Sequence, residues 1–166
     1  GRVDLAMVLV SARVAPAVVE ECGEADVPFA LVIASGFAET GRRGEELQDR
    51  LRTAAKAGGV RLVGPNCQGV LDLHANTILS FSSMLKRNEL LPGNVGFVTQ
   101  SGAFGGALFQ LTQDLGGGTS KWISTGNEAD VTTLDLVSYL VEDPDTDVVV
   151  CYVEALQGGG RLVEIG

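Results

Sequence analysis

The sequence of 166 residues is poor in cysteine, with three, in histidine, with one, and in basic residues, with 12 Lys and Arg against 21 Asp and Glu. Each shortage disfavours a class of protein or of site. The cysteines lie far apart and form no Cys-x-x-Cys pair, so neither a disulfide framework nor a zinc site is expected. The net charge of −9 disfavours nonspecific binding to nucleic acid or to an anionic membrane, since both need clusters of Lys and Arg. No apolar run approaches the roughly 20 residues of a membrane helix. We therefore expect a protein of the reducing cytoplasm that binds neither nucleic acid nor membranes.

The sequence also lacks the features of several common sites. No Gly-x-Gly-x-x-Gly follows a predicted strand, which disfavours a dinucleotide-binding dehydrogenase. The single histidine, His74, lies between Asp72 and Asn76, and no predicted element directs it at a strand end, so we interpret it as a surface residue and not as a catalytic base. Glu128 and Asp130 follow a predicted strand, but carboxylates in a turn more often cap a helix. We expect no metal site, and we assign Asp130 as the N-cap of the next helix.

Apolar runs and helical patterns alternate along the chain. In the first half, strands are predicted at residues 5–10, 29–33 and 60–63, with helices at 16–23 and 44–56. Residues 71–93 break the alternation, and we interpret them as an irregular connection that contains the domain boundary. Strands then follow at 95–99, 121–124 and 148–153, with helices at 103–115 and 132–141. This order predicts an α/β fold of two domains, residues 1–90 and 93–166, each with a parallel sheet.

Both ends of the chain look incomplete. The first strand has no glycine-rich phosphate loop before it, and residues 161–165 look like the start of a further helix. We therefore expect the chain to be a piece of a longer protein.

Small or polar residues follow all six predicted strands. Ligands of open parallel sheets bind at the carboxyl ends of the strands, so these residues are candidates for a binding site, although turns also favour them. In the first half they include Ser11, Ala12, Ser35, Gly36, Asn66 and Cys67. In the second half, Gln100-Ser101-Gly102-Ala103 joins a strand to a helix. A helix that starts in this way leaves backbone N–H groups free to bind an anion, which predicts a phosphate site there.

Two of these strand-end residues carry reactive groups. Glu154 follows an apolar strand without other charges, so we expect it at a partly buried edge. It is compatible with a helix cap or a salt-bridge partner, and equally with a carboxylate that orients a histidine or a bound cation. Cys67 is compatible with a reactive thiol, although a small side chain packed beneath a loop is the commoner case.

Four motifs occur in order along the chain: Gly64-Pro65-Asn66-Cys67-Gln68-Gly69, Gln100-Ser101-Gly102-Ala103, Ser124-Thr125-Gly126-Asn127-Glu128-Ala129-Asp130 and Glu142-Asp143-Pro144-Asp145-Thr146. With them, essentially the whole chain resembles the nucleoside-diphosphate-forming (NDP-forming) acyl-CoA synthetases, the family of ADP-forming acetyl-CoA synthetase and the succinyl-CoA synthetase alpha subunit. The third motif is closer to the acetyl-CoA type. The resemblance implies a partial CoA-binding Rossmann-like domain followed by a partial flavodoxin-like domain of the succinyl-CoA synthetase type.

The resemblance also implies a reaction and its site residues. The family converts an acid, CoA and a nucleoside triphosphate into acyl-CoA, a nucleoside diphosphate and phosphate, through an acyl phosphate and a phosphohistidine. The helix start at Gln100, Ser101, Gly102 and Ala103 matches the one that holds the phosphoryl group, and Glu154 matches the carboxylate that hydrogen-bonds the catalytic histidine. The residues implied in CoA contact are Ser11, Ala12, Ser35, Gly36, Asn66 and Cys67.

His74 does not match the family's phosphohistidine, so the resemblance implies that this group lies outside the chain and that the chain alone is inactive. The implied cofactors are CoA, together with ATP or ADP and Mg²⁺ bound mainly outside the chain. The implied partners are a small carboxylic acid, an ATP-grasp domain or beta subunit, and further subunits of an oligomer. One alternative is a CoA-sensing regulatory module of a protein acyltransferase that shares the fold. An acetyltransferase domain beyond residue 166 would indicate that module, whereas an ATP-grasp domain would indicate the ligase.

Overall fold

The structure is a computed structural model and describes residues 1–86, 89–156, 159–161 and 165. The chain packs into two compact units and enters the first of them twice. The first unit comprises Gly1–Cys67 and Gly126–Val131, and the second comprises Gln68–Thr125 and the residues from Thr132 onwards. The domain limits of 1–90 and 93–166 stay a prediction. Within the described ranges, no helix combines the length and the apolar character that crossing a membrane requires.

A parallel sheet of three strands forms the centre of the first unit. Its strands are β1 (Leu5–Val8), β2 (Phe29–Val32) and β3 (Arg61–Val63), in the order β1-β2-β3. The crossovers contain helices α1 (Ala15–Glu24) and α2 (Arg42–Gly58), and a short 3-10 helix at Ala38–Thr40 precedes α2. The predicted β-α-β-α-β order and the parallel pairing are confirmed.

The first unit has one apolar core, to which both helices and the sheet contribute. Val19 of α1, Leu51 of α2, Leu62 of β3 and Phe37 are fully buried in it. Burial of a Val, Leu or Phe side chain contributes about 1.5–3 kcal/mol. This core therefore holds the loops that follow the three strands in fixed positions.

A mixed sheet of five strands forms the centre of the second unit. In chain order the strands are β4 (Gly69–Asp72), β5 (Thr77–Ser80), β6 (Val95–Thr99), β7 (Lys121–Ser124) and β8 (Val148–Tyr152), and their order in the sheet is β5-β4-β7-β6-β8. As predicted, β6 is parallel to β7 and to β8, and the connections contain helices α3 (Gly102–Asp114) and α4 (Thr133–Val141). The carboxyl ends of these three strands therefore lie at one edge of the sheet.

Strands β4 and β5 correct the expectation that residues 71–93 are irregular. They form an antiparallel hairpin, and β4 also pairs with β7 in the antiparallel direction. Each strand has only four residues, so its periodicity is too short to be told from a loop in the sequence. Pairing with β7 stabilises β4, and Leu71 is buried there at 2% exposure.

The N-cap of α4 is Thr132, which corrects the assignment of Asp130. The Thr132 hydroxyl accepts a hydrogen bond from the Asp135 N–H at 3.3 Å, and the Asp135 carboxylate accepts one from the Thr132 N–H at 2.9 Å. This reciprocal pair is a capping box. The Asp130 carboxylate instead accepts from the Leu62 N–H at 2.9 Å and from Arg61 Nε at 2.8 Å. Asp130 therefore covers the edge of β3, a role that depends on tertiary contact.

The other predicted strands and helices agree with the structure to within two residues at each end. The helix expected at 161–165 falls mainly outside the described residues. Of that range, Arg161 ends a 3-10 helix at Gly159–Arg161, and Ile165 is helical.

Candidate functional site

In the first unit, the loops that follow the three strands approach one another at the carboxyl edge of the sheet. A Cβ placed on Gly36 would lie 3.3 Å from the Ala12 Cβ, so the loops after β1 and β2 are in contact. The Asn66 N–H donates to the Ala34 carbonyl at 2.9 Å, which ties the loop after β3 to the loop after β2. Gly36 has a φ of +105°, a conformation that glycine adopts without strain. The residues predicted to contact CoA are therefore neighbours in space.

These six residues differ in exposure. Ser11 and Ser35 are exposed, Gly36 and Asn66 are half-buried, and Ala12 and Cys67 are buried. The Cys67 Sγ donates to the Val32 carbonyl at 3.4 Å, so its side chain packs beneath the loop. This is the commoner of the two interpretations that the sequence left open. The exposed side chains are short and uncharged, and a ligand can therefore approach the backbone closely.

Glu39 and Asn127 form a polar cluster at the same edge, which the sequence reasoning missed. The Glu39 carboxylate accepts hydrogen bonds from the Gly36 N–H and from the Asn127 side chain, both at 2.5 Å. The Asn127 side-chain amide also donates to Gln48 Oε1 at 2.9 Å and accepts from Asn66 Nδ2 at 3.2 Å. Asn127 lies in the third motif, but nothing in the sequence marks Glu39 or Gln48. Only the packing of the 3-10 helix and α2 brings them to the edge.

The segment that carries Asn127 is fixed by its backbone as well. The N–H groups of Asn127 and Ala129 donate to the carbonyls of Pro65 and Gly64, both at 2.9 Å. Partial burial by itself would raise the pKa of Glu39, but the hydrogen bonds from Asn127 and from backbone N–H groups outweigh it and lower the pKa. Glu39 is therefore a stable anion that orders this edge.

In the second unit, helix α3 begins directly after β6, as the predicted phosphate site requires. Ser101 is the N-cap, and its hydroxyl accepts from the Phe104 N–H at 3.3 Å. The Ser101 carbonyl accepts from the Thr99 hydroxyl at 2.7 Å, which fixes the turn. Within the described contacts, the N–H groups of Gly102 and Ala103 have no acceptor. They are available to an anion, and the helix dipole adds about 0.3–1 kcal/mol.

Gln68 packs against the start of α3. A Cβ on Gly102 would lie 2.4 Å from Gln68 Cγ, so the two residues fit only because residue 102 is a glycine. The Gln68 N–H donates to Ser124 Oγ at 3.1 Å, which holds Gln68 at the carboxyl edge. Gln68 lies in the first motif and Gly102 lies in the second, so the structure brings these two residues together.

Gln100 ties the segment that carries Glu154 to the same edge. The Gln100 Oε1 accepts from the N–H groups of Glu154 at 2.7 Å and Ala155 at 3.0 Å, and its Nε2 donates to the Ala155 carbonyl at 2.9 Å. The Gln100 N–H donates to the Tyr152 carbonyl at 3.0 Å and extends the pairing of β6 with β8. Glu154 and the start of α3 therefore lie at the carboxyl ends of neighbouring strands.

Glu154 is exposed, which corrects the expectation of a partly buried edge. The expectation rested on the apolar run before it, but that run is β8, and β8 is the last strand of the sheet. A strand at a sheet edge leaves its end open to solvent. Within the described part of the chain, Glu154 has no ion-pair partner, so the salt-bridge alternative gains no support.

His74 is exposed, as expected, and its Nε2 lies 2.9 Å from the Gly93 carbonyl oxygen. It belongs to the turn between β4 and β5. Because β4 runs antiparallel to β7, with Asp72 opposite Lys121, this turn lies at the amino end of β7. His74 is therefore at the edge of the sheet opposite to Glu154.

Two family profiles match the chain. A CoA binding domain matches residues 1–72, and a succinyl-CoA ligase like flavodoxin domain matches residues 92–165. The first profile ends at residue 72, close to Cys67, where the chain first passes from the first unit to the second.

Proteins similar to this chain include ADP-forming acetate–CoA ligase I of Archaeoglobus fulgidus, which is 39% identical over 98% of this chain and 23% of that protein. The alpha subunit of ADP-forming acetate–CoA ligase II of Pyrococcus furiosus is 36% identical over 99% of this chain and 35% of that subunit. Among solved structures, the apo dinucleotide-forming acetyl-coenzyme A synthetase 1 of Ca. Korarchaeum cryptofilum has a TM-score of 0.90 at 38% identity, over 99% of this chain and 35% of that one. The chain thus spans between 23% and 35% of the length of these relatives.

Proposed function

The chain belongs to the family of NDP-forming acyl-CoA synthetases, and on this premise we propose that it is the part of an ADP-forming acyl-CoA ligase that binds CoA and holds the phosphoryl group during transfer. The overall reaction joins an acid to CoA at the expense of a nucleoside triphosphate and releases a nucleoside diphosphate and phosphate. In this proposal the phosphoryl group passes through an acyl phosphate and a phosphohistidine, and the histidine comes from outside the chain.

The observation that carries the proposal is the bonding of the Gln100 amide to both Glu154 and Ala155. Through it, the backbone of Glu154 is held at the strand end next to a helix start whose Gly102 and Ala103 N–H groups have no acceptor among the described contacts. A phosphorylated imidazole needs both groups, because N–H donors bind its phosphate while a carboxylate holds its second ring nitrogen.

In this proposal, each site residue of the second unit has one role. The Gly102 and Ala103 N–H groups bind phosphate oxygens, and Ser101 keeps the helix start in shape. The exposed Glu154 carboxylate accepts a hydrogen bond from one nitrogen of the incoming imidazole. This fixes the tautomer, so that the other nitrogen has a free lone pair with which to accept the phosphoryl group.

In the first unit, CoA is proposed to lie along the carboxyl edge. Ser11 and Ser35 are exposed there, and Asn66 is half-buried beside them. Gly36 and the buried Ala12 contribute a surface without bulky side chains, which a nucleotide can approach closely, while the Gly36 N–H stays bonded to the Glu39 carboxylate. Cys67 would contribute through its backbone, since its thiol faces Val32. CoA supplies the thiol that accepts the acyl group.

The remaining components of the reaction belong to the same proposal. ATP or ADP and Mg²⁺ bind mainly outside the chain, on an ATP-grasp domain or a beta subunit, and the assembled enzyme is an oligomer. The acid is a small carboxylic acid. The proposed location is the cytoplasm, where CoA and nucleoside triphosphates are available.

The test uses the full-length protein that contains this chain. Glu154→Gln keeps the size of the side chain but removes the charge, and we expect it to reduce histidine phosphorylation by labelled ATP about 10- to 100-fold. Glu142→Gln is the control, because Glu142 is an exposed carboxylate at the end of α4. Unchanged phosphoenzyme in Glu154→Gln, or an equal loss in the control, would contradict the assignment.

A further inference from the structure

Three arginines of the first unit line one open groove of about 450 Å³. The groove is lined by Arg13, Arg43, Glu46, Leu47 and Arg50. The four residues from α2 have the spacing i, i+3, i+4, i+7, so they share one face of that helix. Arg13 comes from the turn between β1 and α1, which the Val14 N–H closes with a hydrogen bond to the Ser11 carbonyl at 2.9 Å. We call this feature the arginine groove.

Two carboxylates of α2 near these arginines form ion pairs with other arginines. Glu46 pairs with Arg42 at 3.8 Å, and Asp49 pairs with Arg52 at 3.0 Å. Within the described part of the chain, the side chains of the three groove arginines form no ion pair or hydrogen bond. Three guanidinium groups and one carboxylate give the groove a charge of +2, on a chain whose net charge is −9. The cations repel one another, and an anion bound between them would relieve that repulsion.

The arginine groove matches a phosphorylated small molecule in charge and size. A guanidinium group presents paired N–H donors to two phosphate oxygens, which a lysine cannot do. Sites for small ligands measure about 300–1,000 Å³, and this groove falls within that range. Leu47 is half-buried and packs against the core, so the groove also has an apolar wall.

We propose that the arginine groove binds the phosphate groups of a small phosphorylated ligand. One source of such phosphates is CoA itself, since Arg13 directly follows Ser11 and Ala12 in the chain; this assignment rests on the proposed function. The other source is a separate phosphorylated molecule. In both cases Arg13, Arg43 and Arg50 bind the phosphate oxygens.

The experiment measures binding by calorimetry to the full-length protein, with CoA, dephospho-CoA and inorganic pyrophosphate as ligands. The variant is the triple substitution Arg13→Gln, Arg43→Gln and Arg50→Gln, and the control is Arg42→Gln. Arg42 lies next to Arg43 on α2, but its guanidinium is paired with Glu46. All three groove arginines are exposed, so we expect the triple variant to fold, and circular dichroism checks this. The single variant Arg43→Gln provides a second measurement of ligand affinity, in which only one positive charge is removed.

The ligand series separates the two sources. If the groove binds the 3′-phosphate of CoA, the triple variant loses about tenfold in affinity for CoA and little for dephospho-CoA. If it binds a separate molecule, affinity for CoA stays unchanged while that for pyrophosphate falls by about the same factor. The proposal would be overturned if the triple variant bound each of the three ligands with the affinity of the wild type. It would also be overturned if Arg42→Gln lost as much affinity as the triple variant.

The same data distinguish failure of this inference from failure of the proposed function. If the triple variant binds CoA and pyrophosphate as the wild type does, the arginine groove is excluded as a phosphate site. The proposed function is not affected by that result. Conversely, pyrophosphate binding that depends on the groove arginines, without any CoA binding, supports the groove and removes the proposed CoA site. A wild type that binds none of the three ligands overturns both.

Discussion

Lys121 and Asp143 form a buried ion pair at the amino end of β7. The Lys121 Nζ lies 2.9 and 2.8 Å from the two carboxylate oxygens of Asp143, and the side chains are 6% and 7% exposed. The Thr146 hydroxyl donates to the same carboxylate at 2.5 Å, and the Asp72 carboxylate lies 3.5 Å from Nζ. The fourth motif therefore has a structural role, because Asp143 pairs with a lysine that the sheet buries and Thr146 donates a hydrogen bond to the same carboxylate.

Removing one partner of this pair should destabilise the protein strongly. Lys121→Met leaves the Asp143 carboxylate buried without its cation, and we expect a loss of about 3–5 kcal/mol in the free energy of unfolding. Urea denaturation monitored by circular dichroism measures it. The matched control is Lys56→Met, at an exposed lysine, which should change stability by less than about 0.5 kcal/mol. The double variant Lys121→Met, Asp143→Leu should recover most of the loss, and a double variant no better than the single one would contradict the pair.

The same pair predicts how stability depends on pH. Burial alone would raise the pKa of Asp143, but the hydrogen bonds from Lys121 and Thr146 outweigh it and hold the pKa below its ordinary value. Burial alone would lower the pKa of Lys121, but its hydrogen bond to Asp143 and the nearby Asp72 charge outweigh it and hold the pKa above its ordinary value. The carboxylate therefore contributes stability that is lost as the pH falls below its ordinary pKa, and the ammonium contributes stability that is lost as the pH rises above its ordinary pKa.

Measured from acid to alkali, the unfolding free energy of wild type relative to the double variant Lys121→Met, Asp143→Leu should be highest on a plateau between about pH 5 and 10. It should fall on both sides of that plateau. Equilibrium denaturation at a series of pH values tests this, and a difference that does not vary with pH would refute it.

Two adjacent glycines of α3 should respond oppositely to alanine. A Cβ on Gly105 would lie 2.3 Å from Thr99 Cγ2, whereas a Cβ on Gly106 would meet Met84 Sδ at 3.5 Å, an ordinary contact. We expect Gly105→Ala to destabilise the protein by about 1–3 kcal/mol through overpacking. Gly106→Ala should stabilise it by about 0.5–1 kcal/mol, because alanine favours a helix. Thermal unfolding measures the stability of both variants relative to the wild type. Equal changes in the two variants would contradict the close contact between residue 105 and Thr99.

Loss of the Gln100 side chain should release the segment that carries Glu154. Gln100→Leu removes the acceptor of the Glu154 and Ala155 N–H groups, so both amides should exchange with solvent about tenfold faster, corresponding to one lost hydrogen bond of about 1.4 kcal/mol. Amide exchange followed by NMR measures the two rates. Gln110→Leu is the control, since Gln110 is exposed on α3. Protection that persists in Gln100→Leu would show that other contacts hold Glu154.

Local patterns were sufficient for most of the fold. Apolar runs such as those of β6 and β7, and the helical spacing of Leu47, Leu51 and Ala55 in α2, predicted elements that the structure confirms. These patterns work because burial acts on each element through its own periodicity. The β4–β5 hairpin was missed because its stability comes from pairing with β7, which is distant in sequence.

The candidate site divides in the same way. The small residues at strand ends and the helix start at Ser101 were visible in the sequence, since strand and helix propensities determine them. The exposure of Glu154, the burial of the Cys67 thiol and the contact between Glu39 and Asn127 were not. Each of these depends on which residues the packed sheets bring together.

For this protein, the sequence alone determined the alternation of the six parallel strands with the four helices, the parallel pairing of those strands and the positions where a phosphate and CoA are expected. Only the tertiary structure decided that Thr132 and not Asp130 caps α4, that Lys121 is neutralised by Asp143, and that three arginines share one groove. The physical reason is the separation along the chain over which each kind of interaction acts. Periodicity and turn preferences act between neighbours in the chain, whereas ion pairs, caps and grooves need residues that folding alone brings within a few ångströms.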